Sequence, residues 1–592
     1  MVKRMVQLLI LSCLCLLIFS GCVTVPSPAE QCTIVLEDNG TLYFQRQVWS
    51  IDRHDNATVT IGVPSGMRIS QVNYDDYSVS AKTGSSQSFD YYTLTLHQVR
   101  YSVLIRIETA PAYTTDYYID NGSDTISVLE ESPHLYFNTL PYQQSFSRDG
   151  YLPIGWNTRQ DGSGIHVGFG SRIDHRDQSH MDLYLQYLPC SPVSDFSWTE
   201  HQGEVTITGY SGSGNLVIPA QIAGFPVTGI AAGSFDDLNV DIIALPPTLR
   251  QIASGAFSAV TVQHLYFFDS IESICDASFS EYAISHIHIQ AAQPPVYSGS
   301  YFDTLSDKMD YLDSLKDRQK IVLFCGSSAR FGYDSPMLES AFPDYRVVNL
   351  GVYAYTNMRP LADMILPLMG AGDVLLSSPE LDAIEFQFCG ETALDKETFC
   401  MVESNYDLFA RLDAENYSHI FDAFQAFNQS RVGLTARSYS DSASSYDEDG
   451  VPQLSPTYNQ QGDYILYRPD NSDGKLFGIK RACYNRSYIR QEDIEGLNRV
   501  YDSFSDKGVQ VLFAYSPRSA PSITEDSTDA AIAELDEFLR QQLHAEFISP
   551  IGDSLMDPYY FFGTDNHLST EGVAFHTQRI IGYLQDALTD SD

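Results

Sequence analysis

Ile321-Val-Leu-Phe-Cys-Gly-Ser-Ser328 decides how the chain is to be read. An apolar run of this length, closed by Gly and Ser and followed by helical spacing from Asp334, predicts a buried parallel strand. Its turn would open at the carboxyl edge of an α/β sheet, where ligands bind. A serine there can act as a nucleophile if a base takes its proton and amide donors hold the developing oxyanion. Two later stretches offer these groups: Asp565-Asn566-His567, in a turn before the last helical segment, and Asn349-Leu350-Gly351, at the end of the next apolar run.

From Gln319 onward strand-like and helical runs alternate, the order of a doubly wound parallel sheet. Strands are expected over Lys320–Cys325, Tyr345–Leu350, Asp373–Leu376, Val509–Tyr515 and Ala545–Ile548. Helices are expected over Pro336–Phe342, Met358–Leu368, Glu492–Asp506, Asp529–Leu543 and Thr570–Leu588. An insertion of about residues 385–480 interrupts the pattern, and its Ser/Asp/Tyr-rich part, Ser438–Asp449, reads as a mobile loop.

Gly326-Ser-Ser328, Asn349-Leu-Gly351 and Asp565-Asn-His567 resemble blocks of the SGNH (GDSL-type) hydrolase superfamily, over about Lys320 to Leu588. The likeness is to its extracytoplasmic bacterial branches, associated with acyl groups on cell-wall or exopolysaccharide carbohydrate. It implies Ser328 as nucleophile, His567 as base and then acid, and Asp565 as the group orienting the imidazole. It also implies the amides of Ser328 and Gly351 as oxyanion donors, with no metal and no cofactor.

Three positions depart from the family pattern. Ser327 stands where Asp is common. Asp565 lies two residues before His567 where three is usual, with Asp557 a weaker substitute. Ser377-Ser-Pro-Glu380 replaces Gly-x-Asn-Asp, and an ionised Glu380 cannot donate to an oxyanion as Asn does. The plain alternatives are a helix-start role for Ser328 and a capping role for Ser569 or Thr570.

Upstream, Ile230, Ile252 and Ile274 recur every 22 residues, and so do Phe235, Phe257 and Phe279. Ile243, Leu265 and Ile287 keep the same step, so the segment is a repeat whose coils must stack to cover their apolar faces. Val217-Ile-Pro-Ala-Gln-Ile-Ala-Gly-Phe-Pro-Val-Thr-Gly-Ile and Ala232-Gly-Ser-Phe235 resemble BspA-type leucine-rich repeats of bacterial surface proteins, implying a short solenoid over 196–292. His286 and His288 alternate with Ile287 and Ile289 and share one strand side, a pair with no third metal ligand evident nearby. Gln293-Pro-Pro then begins a linker and helix, 293–318.

Residues 131–192, with Gly150-Tyr-Leu-Pro-Ile-Gly-Trp156 and Leu183-Tyr-Leu-Gln-Tyr187, resemble internalin B-repeat-like β modules. Period-two runs such as Thr58-Val-Thr-Ile-Gly-Val63 make 23–130 a β-rich domain. The fold class expected is therefore multidomain: β-rich amino-terminal modules, a short leucine-rich solenoid and a carboxyl-terminal α/β sheet. At 592 residues the chain exceeds one hydrophobic core.

Lys3 and Arg4 precede the apolar run Leu8–Phe19, the order of a secretory signal, too short for a comfortable membrane span. Phe19-Ser-Gly-Cys22 resembles a bacterial lipobox, which implies lipid on Cys22 after cleavage at 22; an uncleaved signal anchor is the alternative. A charge of −41 argues against nucleic acid as partner, since phosphate binding needs Lys and Arg. The seven cysteines beyond the signal are scattered without Cys-x-x-Cys, with Cys389 and Cys400 as one pair that oxidation could join. Two functions follow as expectations. One is a surface lipoprotein whose SGNH-like domain is a serine esterase or O-acyl(acetyl)transferase on envelope or extracellular polysaccharide. The other is a non-catalytic scaffold using its repeats to hold a protein ligand.

Overall fold

The computed structural model describes residues 31–589 except 39, 75–76, 81–82, 112–113, 120–123, 128–136, 140–145, 147, 175–179, 298–299, 301, 303, 316–317, 382–384, 389–392, 413, 415–418, 435–457 and 475–481. Cys22, Cys389 and the Ser438–Asp449 stretch lie outside the described residues, and Cys400 carries a free thiol. Among the described residues no helix is long and apolar enough to cross a membrane.

The chain is multidomain and rich in β-sheet, with several parallel sheets. In the carboxyl-terminal part, β1 (Lys320–Cys325), β2 (Arg346–Gly351), β3 (Val374–Ser377), β4 (Gln510–Phe513) and β5 (Glu546–Phe547) form one parallel sheet in the order β2-β1-β3-β4-β5. The continuous apolar run of β1 has a direct cause: both of its faces are covered. Ile321 and Leu323 join Leu338, Ile580 and Leu584 on one side, from helices Ser335–Ala341 and Thr570–Thr589. Val322 and Phe324 face the other side, toward Leu361, Leu497 and Leu535 of helices Met358–Ile365, Gln491–Ser505 and Asp529–Gln542. Strand and helix bounds lie close to those the periodicity predicts. The carboxyl ends of β1 and β2 therefore come side by side, with Cys325 opposite Gly351.

The 22-residue spacing appears as parallel ladders. Asn239–Ala244, Thr261–Phe268 and Ala283–Gln290 pair in series, with Ile243 opposite Leu265 and Leu265 opposite Ile287. Phe235, Phe257 and Phe279 stack with ring centroids 4.8 and 4.5 Å apart and planes 14° and 3° from parallel. Equal spacing in sequence becomes a column because each parallel strand repeats the position of the last.

Before the repeats, two sheets built from residues 31–111 enclose their own core around Ile34, Ile61, Leu94 and Ile105. The next sheet centres on buried Trp156, with Phe169 and Phe146 at its edges. It takes in Thr114–Ile119, which pairs parallel with His180–Pro189, so a strand from before residue 131 belongs to it.

The described part of the insertion packs on the repeats. Asp276 accepts the N–H groups of Phe421 and Asp422 at 3.0 and 3.2 Å, and Arg431 forms buried ion pairs with Asp269 (3.1 Å) and Glu403 (2.9 Å). Burial pushes the Glu403 carboxyl up to about 7 against the pull of Arg431.

Candidate active site

Gly326 follows β1 in an extended conformation, and the chain turns at once into the short helix Ser327–Arg330. Successive helical residues point about 100° apart, so the two serines diverge. Ser327 Oγ lies 2.9 Å from His567 Nε2. Ser328 Oγ accepts a hydrogen bond from Asn566 Nδ2 at 3.2 Å and is almost wholly buried. The hydroxyl that meets the imidazole is thus the first of the pair, whereas the motif reading assigned Ser328.

His567 is held from several sides. Its main-chain N–H donates to Thr564 Oγ1 (2.9 Å), and its carbonyl accepts from the N–H of Phe562 (3.0 Å). Its ring lies on Phe331, with centroids 4.2 Å apart. Burial first, then the guanidinium groups of Arg468, Arg330 and Arg518, push the imidazole down to about 3. At neutral pH the ring is therefore uncharged, and Nε2 can accept the Ser327 proton when Nδ1 carries the ring hydrogen.

The residue expected to orient the imidazole, Asp565, has another partner. Asp565 pairs with Arg518 at 3.2 Å, and its carbonyl accepts the Ser519 N–H at 2.8 Å. The turn that seats His567 thus directs the carboxylate two residues earlier at a guanidinium instead of the imidazole. Asp557, the weaker substitute, accepts the Tyr559 N–H at 2.9 Å and caps the 3-10 helix Pro558–Tyr560.

The expected oxyanion donors both have acceptors within the protein. Ser328 N–H donates to Glu380 Oε1 at 2.8 Å, and Gly351 N–H to Asn349 Oδ1 at 2.9 Å. Glu380 is 1% exposed, so its carboxylate sits inside the wall behind the serines. Only glycine fits at 326, because a Cβ there would come 2.6 Å from Glu380 Oε1 and 2.8 Å from Ala354 Cβ. Asn349 is itself fixed, with Nδ2 donating to Ala329 O (2.9 Å) and Asp463 Oδ1 (2.8 Å).

Sequence reasoning missed the cationic surround. Arg330 is buried, donating to Gly351 O (3.1 Å) and Thr304 Oγ1 (3.0 Å). Arg468 comes from the insertion and donates to Leu568 O at 2.7 Å. No local pattern marks either residue, since the partners that bury them include Thr304 and Gly351 for Arg330 and Leu568 for Arg468. Asn566 lies within Asp565-Asn566-His567, and its amide's capacity to donate is legible in the residue itself.

Chemically, the arrangement offers a hydroxyl on a neutral imidazole at the carboxyl edge of a parallel sheet. Family models give no match to the chain, and no curated protein matches it.

Proposed function

We propose that the carboxyl-terminal unit is an SGNH-like serine esterase or O-acetyltransferase, with Ser327 as the nucleophile and His567 as its base. The chain would be a lipid-anchored surface protein, held through Cys22. Its β modules and leucine-rich solenoid would carry the enzyme to envelope or extracellular polysaccharide. The observation behind this reading is the 2.9 Å contact between Ser327 Oγ and His567 Nε2.

In the reaction, Nε2 takes the Ser327 proton as Oγ bonds to the acyl carbonyl carbon, and the carbonyl π electrons move to its oxygen. Collapse expels the sugar oxygen, which receives the proton from the imidazolium and leaves an acyl-Ser327 ester. Water or a second sugar hydroxyl then repeats the sequence in reverse. The neighbouring guanidinium groups oppose a positive imidazolium, and the oxyanion formed beside it offsets part of that repulsion.

The test uses the full chain with an activated acetyl ester and a fluorophosphonate probe. Ser327→Ala is expected to abolish turnover and labelling, with the adduct on the wild-type protein mapping to Ser327 by peptide mass spectrometry. An adduct on Ser328, or none with no hydrolysis, overturns the assignment.

A second reading, a non-catalytic scaffold, is favoured by one feature: Glu380 occupies the Ser328 amide that an oxyanion would use. Under it the repeats would bind a protein ligand, and neither serine would react.

A further inference from the structure

The first β domain meets the carboxyl-terminal unit along a strap of the insertion, residues 464–468, and a cleft of about 270 Å3 opens between them. His54 of that domain lies on Tyr467 of the strap, with centroids 5.1 Å apart and planes 21° from parallel, which seats one unit on the other. Gln98, Arg100 and Tyr101 line the cleft from one side, and Asp334, Tyr464 and Arg468 from the other. The strap is fastened next to the serine and imidazole pair. The Arg468 N–H donates to Thr570 Oγ1 (3.0 Å), its carbonyl accepts the Thr570 N–H (2.9 Å), and its Nε donates to Leu568 O beside His567.

What this lining leaves unspent is hydrogen-bond donors. Gln98 is only 5% exposed, yet its Nε2 has no hydrogen-bond partner among the described residues. The backbone holds it at φ 42°, a left-handed conformation uncommon outside glycine, with its N–H tied to Asn56 Oδ1 at 2.9 Å. A buried amide left unpaired costs folding free energy, so a ligand that pairs with it gives a reason for its place. Arg468, buried as well, spends Nε on Leu568 O and Nη1 on the carbonyls of Tyr464 (3.1 Å) and Leu466 (3.4 Å), while Nη2 makes no hydrogen bond among the described residues. Arg100 is exposed and forms no hydrogen bond or ion pair among them. The carboxylates of the lining are taken: Asp334 Oδ1 accepts the Met337 N–H at 2.9 Å, and Asp463 accepts from Ser335, Asn349 and Asn459.

We propose that the cleft binds an acidic sugar unit, a uronate, of a polysaccharide chain, and so positions that chain for the serine site. The positioning role rests on the esterase or acetyltransferase reading, and the binding does not. A uronate carboxylate accepts from the Arg100 fork and from Arg468 Nη2, and charge-assisted pairs of this kind are the strong ones. A ring hydroxyl oxygen takes the Gln98 donor. Tyr101, 65% exposed, and Tyr464 offer apolar ring faces to the C–H side of a pyranose, with polar tips left for its hydroxyls. The volume falls at the lower end of small-molecule sites, which run about 300–1,000 Å3, a size for a sugar unit and not for a folded partner. Because the lining comes from both units, a bound chain would also hold the first β domain against the carboxyl-terminal one.

The experiment is isothermal titration of the full chain with trigalacturonate and a hyaluronan hexasaccharide as uronate probes, and galactotriose as the neutral one. None carries the acyl ester to be cleaved, so binding is read without turnover. One equivalent of a uronate probe is expected to bind at least about tenfold tighter than galactotriose. Arg100→Gln, at an exposed position that the fold does not need, should weaken it at least about tenfold, and Tyr101→Ala should weaken it as well. Arg250→Gln, in an exposed ion pair on the repeats, should leave it within about twofold. Binding of neither uronate, equal affinity for galactotriose, displacement by equimolar inorganic phosphate, or unchanged affinity in both Arg100→Gln and Tyr101→Ala overturns the proposal. A chain that binds uronates and labels at no serine keeps this site and loses the enzyme, whereas one that hydrolyses the activated ester and binds no uronate loses this site alone.

Discussion

Glu380 Oε1 accepts the main-chain N–H of Ser328 at 2.8 Å, so a buried carboxylate stands behind the serine pair. The same carboxylate fills the space that a side chain at 326 would need.

Gly326→Ala is therefore expected to destabilise the carboxyl-terminal unit by about 1–3 kcal/mol, the usual cost of overpacking. Urea unfolding monitored by tryptophan-independent far-ultraviolet dichroism checks it. Glu380→Gln keeps an acceptor for the Ser328 amide and removes the charge. Its expected outcome is faster ester hydrolysis at nearly unchanged stability, and slower hydrolysis would show that the carboxylate assists the reaction.

The neutrality of His567 sets a pH profile. With the ring pushed down to about 3, the basic form persists well below the ordinary histidine range near 6.5. Fluorophosphonate labelling of Ser327 is expected to stay level from about pH 8 to pH 5 and to fall only at more acid values. A half-loss near pH 6.5 would mean that burial and the three arginines do not govern this imidazole.

Acid stability gives a separate test at His576, buried against Tyr333 and also pushed down to about 3 by desolvation and then by Arg579. The unfolded chain binds a proton below about pH 6.5 that the folded ring refuses until about pH 3. The stabilisation is thus complete above pH 6.5 and is lost progressively as pH falls toward 3. His576→Gln should reduce the slope of unfolding free energy against pH in that window by about 1.4 kcal/mol per pH unit. Urea titrations at several pH values measure it.

The aromatic column of the repeats carries a fourth expectation. Phe257 is fully buried between Phe235 and Phe279, and Phe257→Ala should cost about 3–5 kcal/mol. Phe257→Leu should cost less, since most of the volume remains. Chemical denaturation of the two variants ranks them.

What the sequence disclosed follows from which signals are local. The run Ile321–Cys325 is apolar at every position because both sheet faces are covered, and that is visible in the residues themselves. The columns at 235, 257 and 279 were visible for a similar reason: a parallel stack converts chain spacing directly into neighbours. The choice between Ser327 and Ser328 was hidden, because it depends on where the turn after Gly326 becomes helical. Asp565 misled because its carboxylate direction is set by Arg518, a residue on a separate strand. Arg468 was invisible altogether, since it reaches the His567 segment, at Leu568 O, from an insertion with no pattern of its own.

The ring column does not stop at Phe279. Phe421, from helix Ile420–Arg431 of the insertion, continues it at 4.4 Å and 11°. An array of like coils would otherwise end in a sticky, apolar terminus able to accept another copy and propagate into a fibre. Here the α/β unit supplies its own plug, so removing residues 385–480 should convert a discrete particle into one that self-associates end to end.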